Sequence, residues 1–197
     1  MLSLPKESKV KFMNNDLFRN KYRIQSARAP WHDYNNGCYF VTICTDKREH
    51  FFGEIYDNKI ILSKLGKQAT LLLQEIEKKY NDASVLSFVV MPNHIHLLIS
   101  VKQQAKVKNK PQEPNRKINI NEKMKMIAEK RGRLSLIISK YKSSLTRFAI
   151  KNDIYFAWQD RFNDRIIRDY NEMIIVDNYI KNNISNWKDD EHYPNTL

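Results

Sequence analysis

The stretch Val89-Val90-Met91-Pro92-Asn93-His94-Ile95-His96-Leu97-Leu98-Ile99 decides how this chain is read. Apolar residues run on both sides of a Pro-Asn pair, which predicts a strand, a tight turn and a second strand. Residues i and i+2 of a strand share a face, so the rings of His94 and His96 project side by side, roughly 6.6 Å apart along the backbone. Two imidazoles so placed can chelate one divalent cation. They are also compatible with satisfied core residues, but a buried apolar sheet has little reason to admit two polar rings on one face.

Composition sets the frame around this hairpin. A chain of 197 residues with 42% hydrophobic content suits one domain with a sizeable core. Cys38 and Cys44, the two cysteines, lie six apart in one predicted strand. They are too far apart there for a disulfide, so reduced core thiols and a cytoplasmic setting are expected. No apolar run reaches membrane-spanning length, and the first thirty residues lack a signal-peptide core. The net charge of +12 is concentrated: residues 1–30 hold seven Lys/Arg against two acids, residues 102–133 hold eleven against three, and the remainder is nearly neutral. Two basic segments suit a polyanion such as a nucleic acid, although solvated basic tails have the same composition.

Outward from the hairpin, the pattern predicts a basic arm over residues 1–30, in which Phe18, Arg19, Lys21, Tyr22 and Arg23 interleave charge and aromatic surface, and then a first strand over Cys38–Thr45. Phe51–Ile55 and Lys59–Leu62 flank Tyr56-Asp57-Asn58 as a short hairpin. Ser63 caps a predicted helix reaching Tyr80, with Leu65, Ala69, Leu72, Ile76 and Tyr80 as its core stripe. Residues 102–133 form a Lys-rich insertion, with a short basic helix expected over 119–131. A helix follows from Leu134 to about Lys151, apolar at Leu134, Ile137, Tyr141, Leu145 and Phe148 and basic at Lys140, Lys142, Arg147 and Lys151. Residues 156–168 contain a further strand. Asp169 and Glu172 are spaced as a capping box for a last helix, apolar at Met173, Val176, Ile180 and Ile184. Strand, helix, strand, strand, helix, strand is the order of an α+β sandwich of the ferredoxin-like type, with a central antiparallel sheet carrying the two histidines. One ordered domain is thus expected over residues 31–188, with a tail over 189–197.

The segment Met91-Pro92-Asn93-His94-Ile95-His96-Leu97-Leu98 resembles the signature of the single-tyrosine HUH transposases of small insertion sequences and REP-associated elements. Trp158-Gln159, Phe162, Asp164, Ile167 and Arg168 resemble a second block, leaning towards the REP-associated branch. Tyr179-Ile180-Lys181-Asn182-Asn183 resembles the pattern of the C-terminal helix that carries the nucleophilic tyrosine. Ile184 stands where related chains usually have proline, so the helix can run one turn longer, and Asn182 is an alternative to Asn183 as the oxygen ligand.

The resemblance implies a metal-dependent transposase or endonuclease that cuts and rejoins single-stranded DNA through a 5′-phosphotyrosine link. Tyr179 is then the nucleophile and His94, His96 and Asn183 hold Mg²⁺ or Mn²⁺, a choice that oxygen and imidazole donors favour. His32, His50 and His192 show no matching spacing, and with no dedicated carboxylate base recognisable, a water is expected to take the phenol proton. Lys140, Lys142, Arg147 and Arg168 are the expected DNA-backbone contacts. The DNA is expected to carry a hairpin near the cut, the protein to be cytoplasmic and nucleoid-associated when bound, and a homodimer is compatible, with Tyr179 serving its own or a partner's histidines. Alternatives from other classes are a domesticated, catalytically inactive nucleic-acid-binding protein, a nuclease using water as nucleophile, and an RNA-binding ferredoxin-like domain. Tyr141 is the rival nucleophile, though its place in an apolar stripe favours core packing.

Overall fold

The computed structural model describes residues 32–102 and 132–193. The expected basic arm, the helix over 119–131 and the end of the tail lie outside them. Strands β1 (Asn36–Cys44), β4 (Ala83–Val90), β5 (His94–Lys102) and β6 (Asn163–Ile167) form one antiparallel sheet in the order β4-β5-β1-β6. Each terminal strand is joined to its sequence neighbour by a helical crossover, which yields the expected ferredoxin-like arrangement. A separate hairpin, β2 (Gly53–Tyr56) and β3 (Lys59–Leu62), turns through Asp57 and Asn58 at φ of 49° and 55°. Asp and Asn tolerate this left-handed pair better than other side chains, which is why the turn falls there.

Alternation along β1 and β5 divides the core in two. Tyr39, Val41, Ile43, Ile95, Leu97 and Ile99 face helices α1 (Lys64–Gln74) and α3 (Arg133–Lys151). The opposite face presents Phe40, Leu98 and the histidine pair, with Val89 and Met91 beside them, towards α4 (Tyr170–Asn182), which contributes Val176 and Ile180. One strand therefore supplies hydrophobic core on one side and chemistry on the other, as the two-residue period requires.

Three boundaries differ from expectation. The helix begun by Ser63, whose hydroxyl accepts from Gly66 N at 3.0 Å, breaks at Glu75 and resumes as α2 (Ile76–Lys79). The N–H of Glu75 is shared between the carbonyls of Leu71 and Leu73, and Leu73 takes the buried position expected of Leu72. Of residues 156–168, only Asn163–Ile167 form a strand, after a single bridge between Thr45 and Trp158. The last helix is capped as expected, Asp169 accepting from Glu172 N at 2.8 Å, but ends at Asn182 and does not continue through Ile184. Trp187 ends it: the chain tightens into a 3-10 turn (Trp187–Asp189) that sinks the indole into the core beneath α4. No helix among the described residues is long and apolar enough to cross a membrane.

Candidate active site

The register of the sheet fixes the histidine pair. Cys44 stands opposite His94 and Thr42 opposite His96, and the Thr42 hydroxyl meets His96 Nδ1 at 3.0 Å. His94 Nδ1 lies 2.8 Å from Asn93 Oδ1, and Asn93 Nδ2 donates to the His192 carbonyl at 2.8 Å. That second bond settles which end of the carboxamide is oxygen. Because the oxygen only accepts, His94 Nδ1 carries the proton and Nε2 keeps a bare lone pair. The two rings are 4.4 Å apart between centroids and both are buried. Burial, the chief cause, pushes the His96 imidazole down to about 3, and drives His94 well below its ordinary value. Both are neutral at physiological pH, the state in which imidazole binds a metal.

From the other side, α4 delivers Tyr179 and Asn183 one turn apart. The phenol oxygen lies 3.3 Å from His96 Nε2 in the same chain, with the ring edge-on to Phe40. Tyr179 is 42% exposed, open to a substrate, whereas Asn183 is buried and Asn182 faces solvent. Between the two alternatives raised by Ile184, the inward residue is therefore Asn183. Its Nδ2 donates to Asp190 Oδ2 at 3.0 Å, which leaves Oδ1 buried with no partner.

Two residues of this site were not anticipated. His192 was set aside for lack of spacing, yet the turn after α4 brings its ring to 4.5 Å from His94 and 5.9 Å from His96. Among the described residues, His94, His96 and His192 offer ligand nitrogens within 4.8 Å of one another. The Glu191 carboxylate stands 3.3 Å from His192 Nε2 but off the line of a hydrogen bond, so both His192 nitrogens remain unpartnered. Asp190 corrects the expectation that no carboxylate serves the phenol: Tyr179 donates to its Oδ2 at 3.2 Å, and His192 N holds Oδ1 at 2.7 Å. Burial first, and then the Asp190 charge, raise the phenol to about 12. No periodicity links Asp190 or His192 to Tyr179. The weak signal was a run of metal-competent side chains, Asp189-Asp190-Glu191-His192, directly after the tyrosine helix.

The donor set fits a divalent cation. His94 Nε2, Asn183 Oδ1 and both nitrogens of His192 are buried without hydrogen bonds. Such orphans cost about 1–3 kcal/mol each unless something binds them. A cation can accept one lone pair from each of these side chains, His192 offering one nitrogen and keeping its proton on the other.

The expected DNA contacts are scattered. Lys140 and Arg147 are exposed on α3, behind the sheet, away from the histidines. Lys142 Nζ donates to the carbonyls of Gln159 and Arg161 at 2.9 and 2.8 Å and sits over Trp158, so it anchors the loop before β6. Arg168 is exposed just before α4, and its N–H bonds to Glu172 Oε2. Arg165, which sequence reasoning passed over, reaches across Phe40 on the site face. The rival Tyr141 is buried in the opposite core, donating to Ala69 O at 3.2 Å.

The antiparallel sheet presents paired imidazoles that fit the HUH pair, with Tyr179 of the C-terminal helix facing them. Residues 34–113 match the model of a transposase family described as "Transposase IS200 like". An uncharacterized protein of Haemophilus influenzae is 29% identical over 174 residues, spanning 86% of this chain and 92% of its own length. A solved REP-associated tyrosine transposase bound to a REP hairpin shares the fold, with a TM-score of 0.51 over 82% of this chain and 74% of that one at 13% identity.

Proposed function

We propose that this protein is a metal-dependent transposase that cleaves and rejoins single-stranded DNA through a 5′-phosphotyrosine intermediate. The observation that carries the reading is the Tyr179 hydroxyl standing 3.3 Å from His96 Nε2, beside a cluster of buried and unpartnered ligand atoms.

His94, His96, Asn183 and His192 would hold the cation. A divalent ion there supplies charge to neutralise the phosphodiester as its transition state develops. Mg²⁺ or Mn²⁺ suits a site with an oxygen donor, and the third imidazole favours Mn²⁺ of the two. The Tyr179 oxygen attacks phosphorus, the bond to the 3′-oxygen breaks, and the departing oxygen takes a proton from water to become a 3′-OH. Asp190, already accepting from the phenol, takes the phenol proton and returns it when a second 3′-OH displaces the tyrosine. One phosphoester replaces another, so no external energy source is needed.

Arg165, over Phe40 on the site face, and the exposed Arg168 are assigned to the DNA backbone. Lys140 and Arg147 serve a path behind the sheet, supplemented by the basic segments before residue 32 and over 103–131. Lys142 contributes by holding the Trp158–Arg161 loop. The phenol reaches the imidazoles of its own chain, which supports cleavage in cis.

The test is a labelled single-stranded oligonucleotide carrying a hairpin, incubated with the protein and Mn²⁺ and resolved on a denaturing gel. A slow-migrating covalent adduct is expected, lost with chelator and lost in Tyr179→Phe. Cleavage to free 5′-phosphate ends with no adduct would instead identify a water-using nuclease.

A further inference from the structure

A cavity of about 500 Å³ adjoins Tyr179, and the chemistry above makes no use of it. That is room for a ligand of small-molecule size. Tyr179, 42% exposed, lines it together with Asn183, Asn186, Asp189, Asp190 and Glu191. The sequence accounts for this lining. Tyr179, Asn183 and Asn186 recur at intervals of four and three down one side of α4 and the turn beyond it, and the chain then tightens at Trp187 into Asp189-Asp190-Glu191.

One wall of the cavity is shared with the cation site. Asn183 is 2% exposed, and its Oδ1 is buried without a partner. Its Nδ2 and the Tyr179 hydroxyl both donate to Asp190 Oδ2, at 3.0 and 3.2 Å, while the His192 N–H holds Oδ1 of the same carboxylate. The nucleophile, a candidate cation ligand and the cavity are thus joined through one hydrogen-bonded group. A phosphodiester held at Tyr179 brings the nucleotides on either side of it next to the cavity.

The lining discriminates among the parts of a nucleotide. Three carboxylates face the cavity and no lysine or arginine does, so it repels a phosphate. Nor is it a second cation site: among the described His, Cys, Asp and Glu side chains, only His94, His96 and His192 bring three ligand atoms within 4.8 Å of one another. What remains is the base. Carboxylate oxygens only accept hydrogen bonds, and they pair with exocyclic amines such as N4 of cytosine. Adenine, cytosine and guanine each carry such an amine. Thymine turns carbonyl oxygens to the same groups.

We infer that this cavity is a base pocket, which receives the base next to the scissile phosphate and admits adenine, cytosine or guanine in preference to thymine, with Asp189 and Glu191 as the specificity-determining carboxylates. Both side chains are exposed, and neither is a cation ligand or the proton acceptor in the reaction. The inference rests on the transposase reading above and adds to it a choice of where the strand is cut.

The full chain with Mn²⁺ is given single-stranded DNA of random sequence between constant ends, covalent adducts are isolated, and both products of each cut are sequenced. Thymine should be under-represented about fivefold or more at one of the two positions flanking the cut, the low end of what one good base contact gives. With Asp189→Asn and Glu191→Gln together, whose amides both donate and accept, thymine should return towards its share of the pool at that position and nowhere else. Asp189→Asn alone, at an exposed position, should do so in part. Thermal unfolding and Mn²⁺ calorimetry check that each variant keeps its fold and its cation site. An even base distribution in the parent, a preference for thymine, or a bias that both variants leave intact overturns the proposal. A parent that forms no adduct overturns the transposase reading and this inference with it, which separates the two failures.

Discussion

Acid should unfold the chelator-treated protein over a window set by its buried histidines. His96 falls from 6.5 to about 3 in the folded state chiefly because of its burial, and burial likewise drives His94 well below its ordinary value. Below pH 6.5 an unfolded chain protonates both rings while the folded chain keeps them neutral, so the unfolded state binds more protons and stability falls as pH falls. The stability is fully present above pH 6.5 and is lost progressively towards pH 3. Each ring contributes about 1.4 kcal/mol per pH unit inside the window. For the pair this is roughly 4 kcal/mol between pH 6.5 and pH 5, a large share of the ~5–15 kcal/mol that holds a typical domain together. The lowered carboxylates Asp33 and Asp177 titrate from ordinary values of 3.8 and below, outside this interval. Urea denaturation at pH 7.5, 6.5, 5.5 and 5.0 in chelator reads the slope directly. His96→Gln, which fills similar space without a titrating group, should lower it by about 1.4 kcal/mol per pH unit. Free energies that stay level from pH 7 to pH 5, or an unchanged slope in the variant, would refute the burial argument.

Two further outcomes follow from particular contacts. Asn93→Ala removes the acceptor that fixes the His94 tautomer and the donor that holds the His192 carbonyl. Mn²⁺ affinity measured by calorimetry should fall about 10–100-fold, as for other residues that orient metal ligands, with a stability loss of about 1–3 kcal/mol in urea. Tyr141→Phe loses only its hydrogen bond to Ala69 O, so it should cost about 1 kcal/mol of stability and leave covalent adduct formation at the parent level. An adduct abolished in Tyr141→Phe and retained in Tyr179→Phe would exchange the two tyrosines' roles.

The histidine pair was legible because it depends on one local rule, the two-residue period of a strand, applied to a segment whose apolar flanks made the strand unmistakable. Tyr179 and Asn183 were singled out by the resemblance of their segment, and the single helical turn between them is why they share a side. Thr42 was not, because its bond to His96 depends on which strand lies beside β5 and in what register, and 54 residues separate the pair. Asp190 and His192 were hidden more deeply. They follow the last turn of α4 in an irregular segment whose path is set by where one indole finds room, and composition alone does not supply that path.

Trp187 shows how the two halves of the site depend on each other. Its ring contacts His94 at 5.9 Å and His50 at 6.0 Å on the strand side, and Tyr193 at 5.3 Å on the tail side. Burying the indole is what ends α4 and folds the following residues back over the sheet, and it sets Asp190 against the phenol and His192 against the pair in a single step. Hydrophobic burial of one side chain thus supplies the force that assembles polar groups with little affinity for one another, three neutral imidazoles and a carboxamide stripped of water. Left to themselves those groups would stay hydrated. Their residual unmet lone pairs are what a cation would satisfy, and the partly exposed Tyr179 stands beside them.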